Sequence, residues 1–270
     1  MAPIRERPRI AVLLRSRPLI GMVHLPPLPG SPRGRAGLDD VLEVALDEAR
    51  ILEESGMDGL IVENVGDTPF FRESVPAITV AAMAVIVREV RTQTQLAVGV
   101  NLLRNACTEA LSIASIVGAD FIRCNVVIGA YVTDQGIIQG CAAELARLRQ
   151  SLDRDVAVLG DVHVKHAAPL FDVPIEDAAA DLAERGGVDA VIVSGSRSPD
   201  PPSMERVAAV MGAVELPVLI GSGVSLANAA EYYAASGGLL IGETDFKVDG
   251  AWGGRSLGSA YAEVVRRCRG

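Results

Sequence analysis

Apolar runs rich in β-branched residues alternate with stretches of 3.6-residue periodicity along the whole chain. The pattern predicts strands at about 18–24, 58–63, 96–102, 119–125, 156–163, 188–194, 216–221 and 237–242. Helical stretches fall near 39–55, 76–92, 105–117, 141–152, 174–186, 202–213, 224–235 and 255–268. The first shows one apolar face: Val41, Leu42, Ala45, Leu46, Ala49 and Leu52. Gly56, Gly118 and Gly186-Gly187 follow helical stretches, where glycine can adopt the left-handed conformation that ends a helix. Eight strand–helix units with short helix-to-strand connections predict an α/β fold, a single closed (β/α)8 TIM barrel. A doubly wound open sheet fits less well, because no GxGxxG follows the first strand. With no linker or composition break, residues 1–270 read as one domain, in which 1–17 form an extension capping the barrel bottom.

The 270 residues suit one barrel, which commonly runs to about 250. Aromatics are only 4% and hydrophobic residues 49%, as expected of parallel strands covered on both faces. The net charge of −9 argues against a nucleic-acid partner. No stretch approaches the roughly 20 apolar residues of a membrane span; peripheral membrane association stays compatible with the sequence. The cysteines, at 107, 124, 141 and 268, stand singly, without CxxC or Cys/His ligand spacing, so reduced thiols in a cytoplasmic protein are expected.

The segments following strands (25–38, 64–75, 126–140, 164–173 and 195–201) are much longer than those preceding them. Barrel enzymes place their chemistry on that face. The strand ends there carry His24, Glu63, Asn64, Asn101, Arg123, Asn125, Asp161, His163 and Ser194. Strand alternation puts Asp161 and His163 on one face, and Arg123 and Asn125 likewise. These groups suit acid–base chemistry; the plainer alternative is a structural network with Arg123 held by Glu63 or Asp161. His24, His163 and His166 all lie at or past strand ends, and with Glu63 and Asp161 they are also a donor set for a divalent metal. Lys165 is a candidate for a Schiff base, a phosphate contact or proton transfer, or else a solvated loop lysine; Lys247 is a second candidate to approach an anion.

A phosphate cradle is the most specific signal. Gly195-Ser196, Gly221-Ser222-Gly223 and Gly242-Glu243-Thr244 follow three consecutive strands, where loop amides and a helix N-terminus favour an anion. The same glycines could instead form simple tight turns. Glu243 would repel a phosphate unless it points away. The loops 64–75 and 126–140, with Phe70, Phe71 and Tyr131, read either as a lid over substrate or as a subunit interface; a homo-oligomer is expected.

Several segments together resemble the BtpA/SgcQ family: Ile20-Gly-Met-Val-His24-Leu-Pro-Pro-Leu-Pro-Gly30-Ser31-Pro32, Val62-Glu63-Asn64-Val-Gly66-Asp67-Thr-Pro69-Phe70, Gly129-Ala-Tyr131-Val-Thr133-Asp134-Gln-Gly136, Asp161-Val-His163-Val-Lys165-His166 and Gly221-Ser-Gly-Val. The resemblance runs from about residue 18 to 252 and implies a ribulose-phosphate-binding type of barrel. The family takes its name from a factor needed for photosystem I accumulation, and other members sit with sugar-uptake genes. Two departures fall on the phosphate rim: Ser196-Arg197-Ser198-Pro199-Asp200 after Gly195, and Gly242-Glu243-Thr244-Asp245-Phe246-Lys247. Arg197 could compensate for Glu243.

Two functions compete at this stage. One is an enzyme (isomerase, lyase or hydrolase) on a small phosphorylated metabolite, a sugar phosphate or nucleotide-derived phosphosugar. Asp161, His163, Glu63, Lys165 and His24 would then carry the acid–base work; Asn64, Asn101, Arg123, Asn125 and Ser194 would orient substrate; Gly195, Gly221, Ser222, Gly223, Gly242, Glu243 and Thr244 would line the phosphate site. The other is a non-catalytic assembly or stability factor for a membrane complex.

Overall fold

The computed structural model describes residues 8–195, 200–248, 250 and 254–270. After a first helix α1 (Pro8–Arg15), eight parallel strands close into a barrel: β1 (Leu19–His24), β2 (Gly59–Glu63), β3 (Ala97–Asn101), β4 (Phe121–Cys124), β7 (Ala157–Val162), β9 (Ala190–Val193), β10 (Val218–Ile220) and β11 (Leu239–Ile241). They pair in the order β1-β11-β10-β9-β7-β4-β3-β2, which returns to β1. The helices between them are α2 (Leu38–Glu54), α3 (Ala77–Gln93), α4 (Cys107–Val117), α5 (Ala142–Ser151), α6 (Ile175–Glu184), α7 (Met204–Ala213) and α8 (Ala229–Ala234), with α9 (Gly258–Arg269) last. The chain is therefore the expected TIM barrel. Every strand and helix read from the pattern is present, most with ends trimmed by one to three residues; the widest gap is in the seventh helical stretch, 224–235, where α8 begins only at Ala229.

The strands bury two faces. Outward residues such as Val23, Val62, Val100, Ile122, Val158 and Val193 pack under the helices. Inward residues (Ile20, Met22, Ile61, Phe121, Leu159, Ile192, Leu219 and Leu240) fill the lower barrel, and Ile10 and Leu14 of α1 join that same cluster. Gly99 belongs to this interior: a Cβ there would sit 2.2 Å from the Phe121 ring. Gly118 closes α4 at φ 86°, as a left-handed C-terminal glycine should.

The segment 126–140 is not an irregular loop. It folds as a hairpin, β5 (Ala130–Thr133) and β6 (Gly136–Gln139), and β8 (Ala167–Pro169) adds a third antiparallel strand. Two short runs of strand-favouring residues, Tyr131-Val132-Thr133 and Ile137-Ile138, flank the turn of this hairpin, with Gly136 at φ 99°. Tyr131 is thereby buried with Val126, Ile138 and Val164 instead of offering a stacking surface, while Phe71 is exposed.

The cysteines also depart from expectation. Cys107 and Cys124 form a disulfide with Cα atoms 5.5 Å apart. The first turn of α4 packs on the outward face of β4, a contact between neighbouring units that sequence spacing does not encode. Burial pushes the nearby Cys141 thiol up to about 12. Among the described residues no helix is long and apolar enough to cross a membrane.

Candidate active site at the barrel mouth

Strand register assembles the site. His24 pairs with Glu63, Glu63 with Asn101, and Asn101 with Arg123, so four neighbouring strands end in one row of inward polar side chains. Asp161 completes it from β7. All five are buried, so each must find a partner or pay the full desolvation cost.

Arg123 and Asp161 solve this for each other. The guanidinium donates two hydrogen bonds, Nε to Oδ2 at 3.1 Å and Nη2 to Oδ1 at 3.0 Å. Asn125 donates to the same carboxylate at 2.8 Å. Asn101 ties the row together, donating to the Arg123 carbonyl and to Asn125 Oδ1, both at 3.1 Å. Such a bidentate pair fixes orientation as well as charge. The structural-network alternative thus holds for Arg123, with Asp161 as the partner.

Glu63 and His24 are a different pair. His24 Nε2 lies 3.6 Å from Glu63 Oε1. Burial holds the His24 imidazole well below its ordinary range, helped by Lys247, Lys165 and Arg123. Burial also raises the Glu63 carboxyl, against the pull of Arg123 and Lys165. Lys165 hangs over the same opening, and its ammonium is lowered by burial and by Arg123. Burial thus favours the uncharged form of all three groups.

The glycine turns after β9, β10 and β11 lie on the opposite lip. Gly195 N–H donates to Ser222 Oγ at 3.3 Å. Glu243 does not point away from the cradle: its Oε1 accepts the Gly223 N–H at 2.8 Å. The amide that would face a phosphate is held by the chain's own carboxylate. Glu243 Oε2, Ser194 Oγ and Asn101 Oδ1 are buried without a hydrogen-bond partner among the described residues. Residues 196–199, including Arg197, lie outside the described residues.

Four further expectations shift. His163 does not share the inward face with Asp161: β7 ends at Val162, and His163 at φ 48° turns its ring toward Tyr131, centroid to centroid 6.4 Å. There it walls a cavity of about 560 Å³ beneath the hairpin, with Phe171 and Arg185. Burial and Arg206 lower its imidazole. His166 is exposed. Lys247 is not an anion contact but a buried partner of Glu48, at 2.9 Å. The amide of Asn64 is spent on the chain: Nδ2 donates to Asp67 and Oδ1 accepts from Leu103 N–H. As for a metal, the only cluster of three His, Cys, Asp or Glu ligand atoms among the described residues is cysteine, away from the mouth.

A statistical model of the BtpA family matches residues 15–254. The chain belongs to the BtpA family. Photosystem I biogenesis protein BtpA of Synechocystis sp. is 44% identical over 225 residues, 83% of this chain and 78% of that protein. An uncharacterised protein of Methanocaldococcus jannaschii is 44% identical over 238 residues, 88% and 90% of the two chains. In fold the chain is similar to (S)-3-O-geranylgeranylglyceryl phosphate synthase from Thermoplasma acidophilum, solved in complex with sn-glycerol-1-phosphate. The TM-score is 0.58 at 16% identity, over 98% of this chain and 99% of that one.

In this BtpA-family chain two mouth residues escaped the sequence reading. Arg104, buried just past β3, donates to the Lys165 carbonyl and so braces the lysine's loop. Its signal was an arginine three residues after a strand end already rich in polar groups. Asp67 accepts from Leu28 N–H at 2.8 Å and locks the Pro-rich segment after β1 onto the turn after β2; nothing in its local sequence announces that contact.

Proposed function

We propose that this BtpA-family barrel is an enzyme that moves protons on a small, hydroxyl-bearing phosphorylated metabolite bound at the mouth. The Glu63–His24 pair carries the reading. Burial raises the Glu63 carboxyl toward the range in which it can exchange a proton with a substrate atom, and the same burial keeps His24 uncharged beside it. Glu63 serves as acid or base, His24 as its neutral partner, and Lys165 as the nearby cation that stabilises negative charge developing on a substrate oxygen. The unpartnered oxygens of Asn101, Ser194 and Glu243 ask for hydrogen-bond donors, which substrate hydroxyls provide. Isomerisation next to a carbonyl, aldol-type cleavage and hydrolysis all use this set.

The phosphate belongs on the lip of Gly195, Gly221, Ser222, Gly242 and Thr244, with Glu243 leaving the Gly223 amide as the anion arrives. The fold relative solved with sn-glycerol-1-phosphate supports that class of ligand by analogy. Calorimetry with pentose and hexose phosphates tests the proposal. Binding that is lost in Gly221→Asp is expected, since a side chain there meets Ile192 and Ser194; no binding by any of them, with the variant indistinguishable from wild type, sinks it.

A second reading, an assembly factor, draws on the exposed faces of Val132 and Ile137, paired across the hairpin, and on the printed name of the Synechocystis relative. It predicts that Val132→Asp with Ile137→Asp abolishes partner capture while Asp161→Asn and His24→Gln are tolerated.

A further inference from the structure

Three of the chain's four cysteines meet outside the barrel mouth. Cys107 comes from the first turn of α4, Cys124 from the outward face of β4, and Cys141 from the residue just before α5. Their sulfur atoms all lie within 4.8 Å of one another. Cys107 and Cys124 are joined, and Cys141 Sγ stands 3.5 Å from Cys124 Sγ.

Three thiols from three separate elements exceed what one disulfide needs. In a tetrahedral thiolate site with metal–sulfur bonds of about 2.3 Å, the sulfurs stand about 3.8 Å apart. The Cys124–Cys141 separation already suits that geometry. Oxygen donors surround the trio: Asn105 Oδ1 is 3.3 Å from Cys107 Sγ and 3.9 Å from Cys124 Sγ, and the Val126 carbonyl is 3.5 Å from Cys141 Sγ. A cavity of about 350 Å³ reaches Cys107 and Cys141 from outside, and its walls include Glu73 and Glu144. It supplies an entry path with carboxylates that attract a cation, and room for water as a ligand.

We propose that the reduced trio Cys107, Cys124 and Cys141 binds a thiophilic divalent cation of the zinc class through three thiolates and one oxygen, and that the Cys107–Cys124 disulfide is the oxidised, metal-free form of the same site. Sulfur donors select such a cation over magnesium or calcium, which prefer oxygen cages. A dithiol reductant opens the disulfide: two electrons and two protons pass to Cys107 and Cys124, and the reductant leaves as its own disulfide. Binding then releases the three thiol protons as the cation takes their place. The site shares no residue with the Glu63–His24 pair, so it stands or falls apart from the proposed function.

The full-length chain, purified from zinc-supplemented cells under a phosphine reductant and dialysed, is assayed for zinc by atomic emission. About one zinc per chain is expected, falling below a tenth in Cys141→Ser and unchanged in Cys268→Ser. Alkylation of the reduced wild-type chain gives an independent readout: with zinc only Cys268 reacts, and after chelation the half-buried Cys141 reacts as well. Oxidation by a disulfide reagent is expected to release the zinc. Less than a tenth of a zinc in the wild type, undiminished uptake in a folded Cys141→Ser, or Cys141 alkylation insensitive to zinc overturns the proposal.

Discussion

Below the mouth, successive barrel strands point Ile20 and Met22, Ile61, Phe121, Leu159 and Ile192 into the interior. One inward position higher, the same strands point His24, Glu63, Arg123, Asp161 and Ser194. The two layers share backbone, register and burial, and differ in how each is held. The lower layer is held by close packing, so volume is what it resists changing. In the upper layer His24 faces Glu63 and Arg123 holds Asp161, so removing one member of a pair leaves another charged or polar group stranded. A layer held by packing and a layer held by pairing are thus separated by about two residues of strand, roughly 7 Å.

The largest effect expected from breaking that contrast is in the upper layer. Asp161→Ala strands the Arg123 guanidinium and should cost about 3–5 kcal/mol in urea unfolding. Replacing both, Arg123→Met with Asp161→Leu, should recover most of that loss. A single-variant loss under about 1 kcal/mol would mean that Arg123 reaches water, contrary to the layered description.

In the lower layer, Gly99→Ala places a methyl 2.2 Å from the Phe121 ring. Overpacking of this kind costs about 1–3 kcal/mol, and ligand affinity at the mouth should stay unchanged. Parallel loss of affinity would show that the layers are mechanically joined.

pH sharpens the same contrast. The folded His24 imidazole resists protonation, while in the unfolded chain it titrates near 6.5. Its contribution to stability is present above that pH and lost as pH falls below it, because the unfolded state then binds the extra proton. The slope from one such group is at most about 1.4 kcal/mol per pH unit. Unfolding measured between pH 7 and 5 should show it in the wild type and a flatter dependence in His24→Gln.

The smallest effect belongs to Glu243→Gln, which keeps an acceptor for the Gly223 amide and removes the charge. About 1 kcal/mol of stability is at stake. Calorimetry with inorganic phosphate should show severalfold tighter binding than the wild type, and equal or weaker binding would place the anion elsewhere.

The barrel was legible because its strands are long apolar runs and its helices have clean apolar faces; local pattern and global fold agree there. The polar row was legible through position, since a polar residue at the end of an apolar strand has few other places to go. What escaped was set by contacts between distant segments. His163 was placed by parity, which assumes a strand continues, and β7 stops one residue earlier. Lys247 found Glu48, 199 positions away in sequence, and Cys107 met Cys124 across a helix–strand seam. The hairpin at 130–139 did carry a signal, strand-favouring pairs at 131–132 and 137–138 on either side of a polar turn with glycine, which its shortness and polar neighbours hid inside a loop.

Helix α1 gives the interior one further property. Ile10 and Leu14 are seated in one buried cluster with Ile20, Phe121 and Leu240. Shortening the chain by this helix would bare apolar surface that its two side chains now keep from water, which is a liability toward self-association.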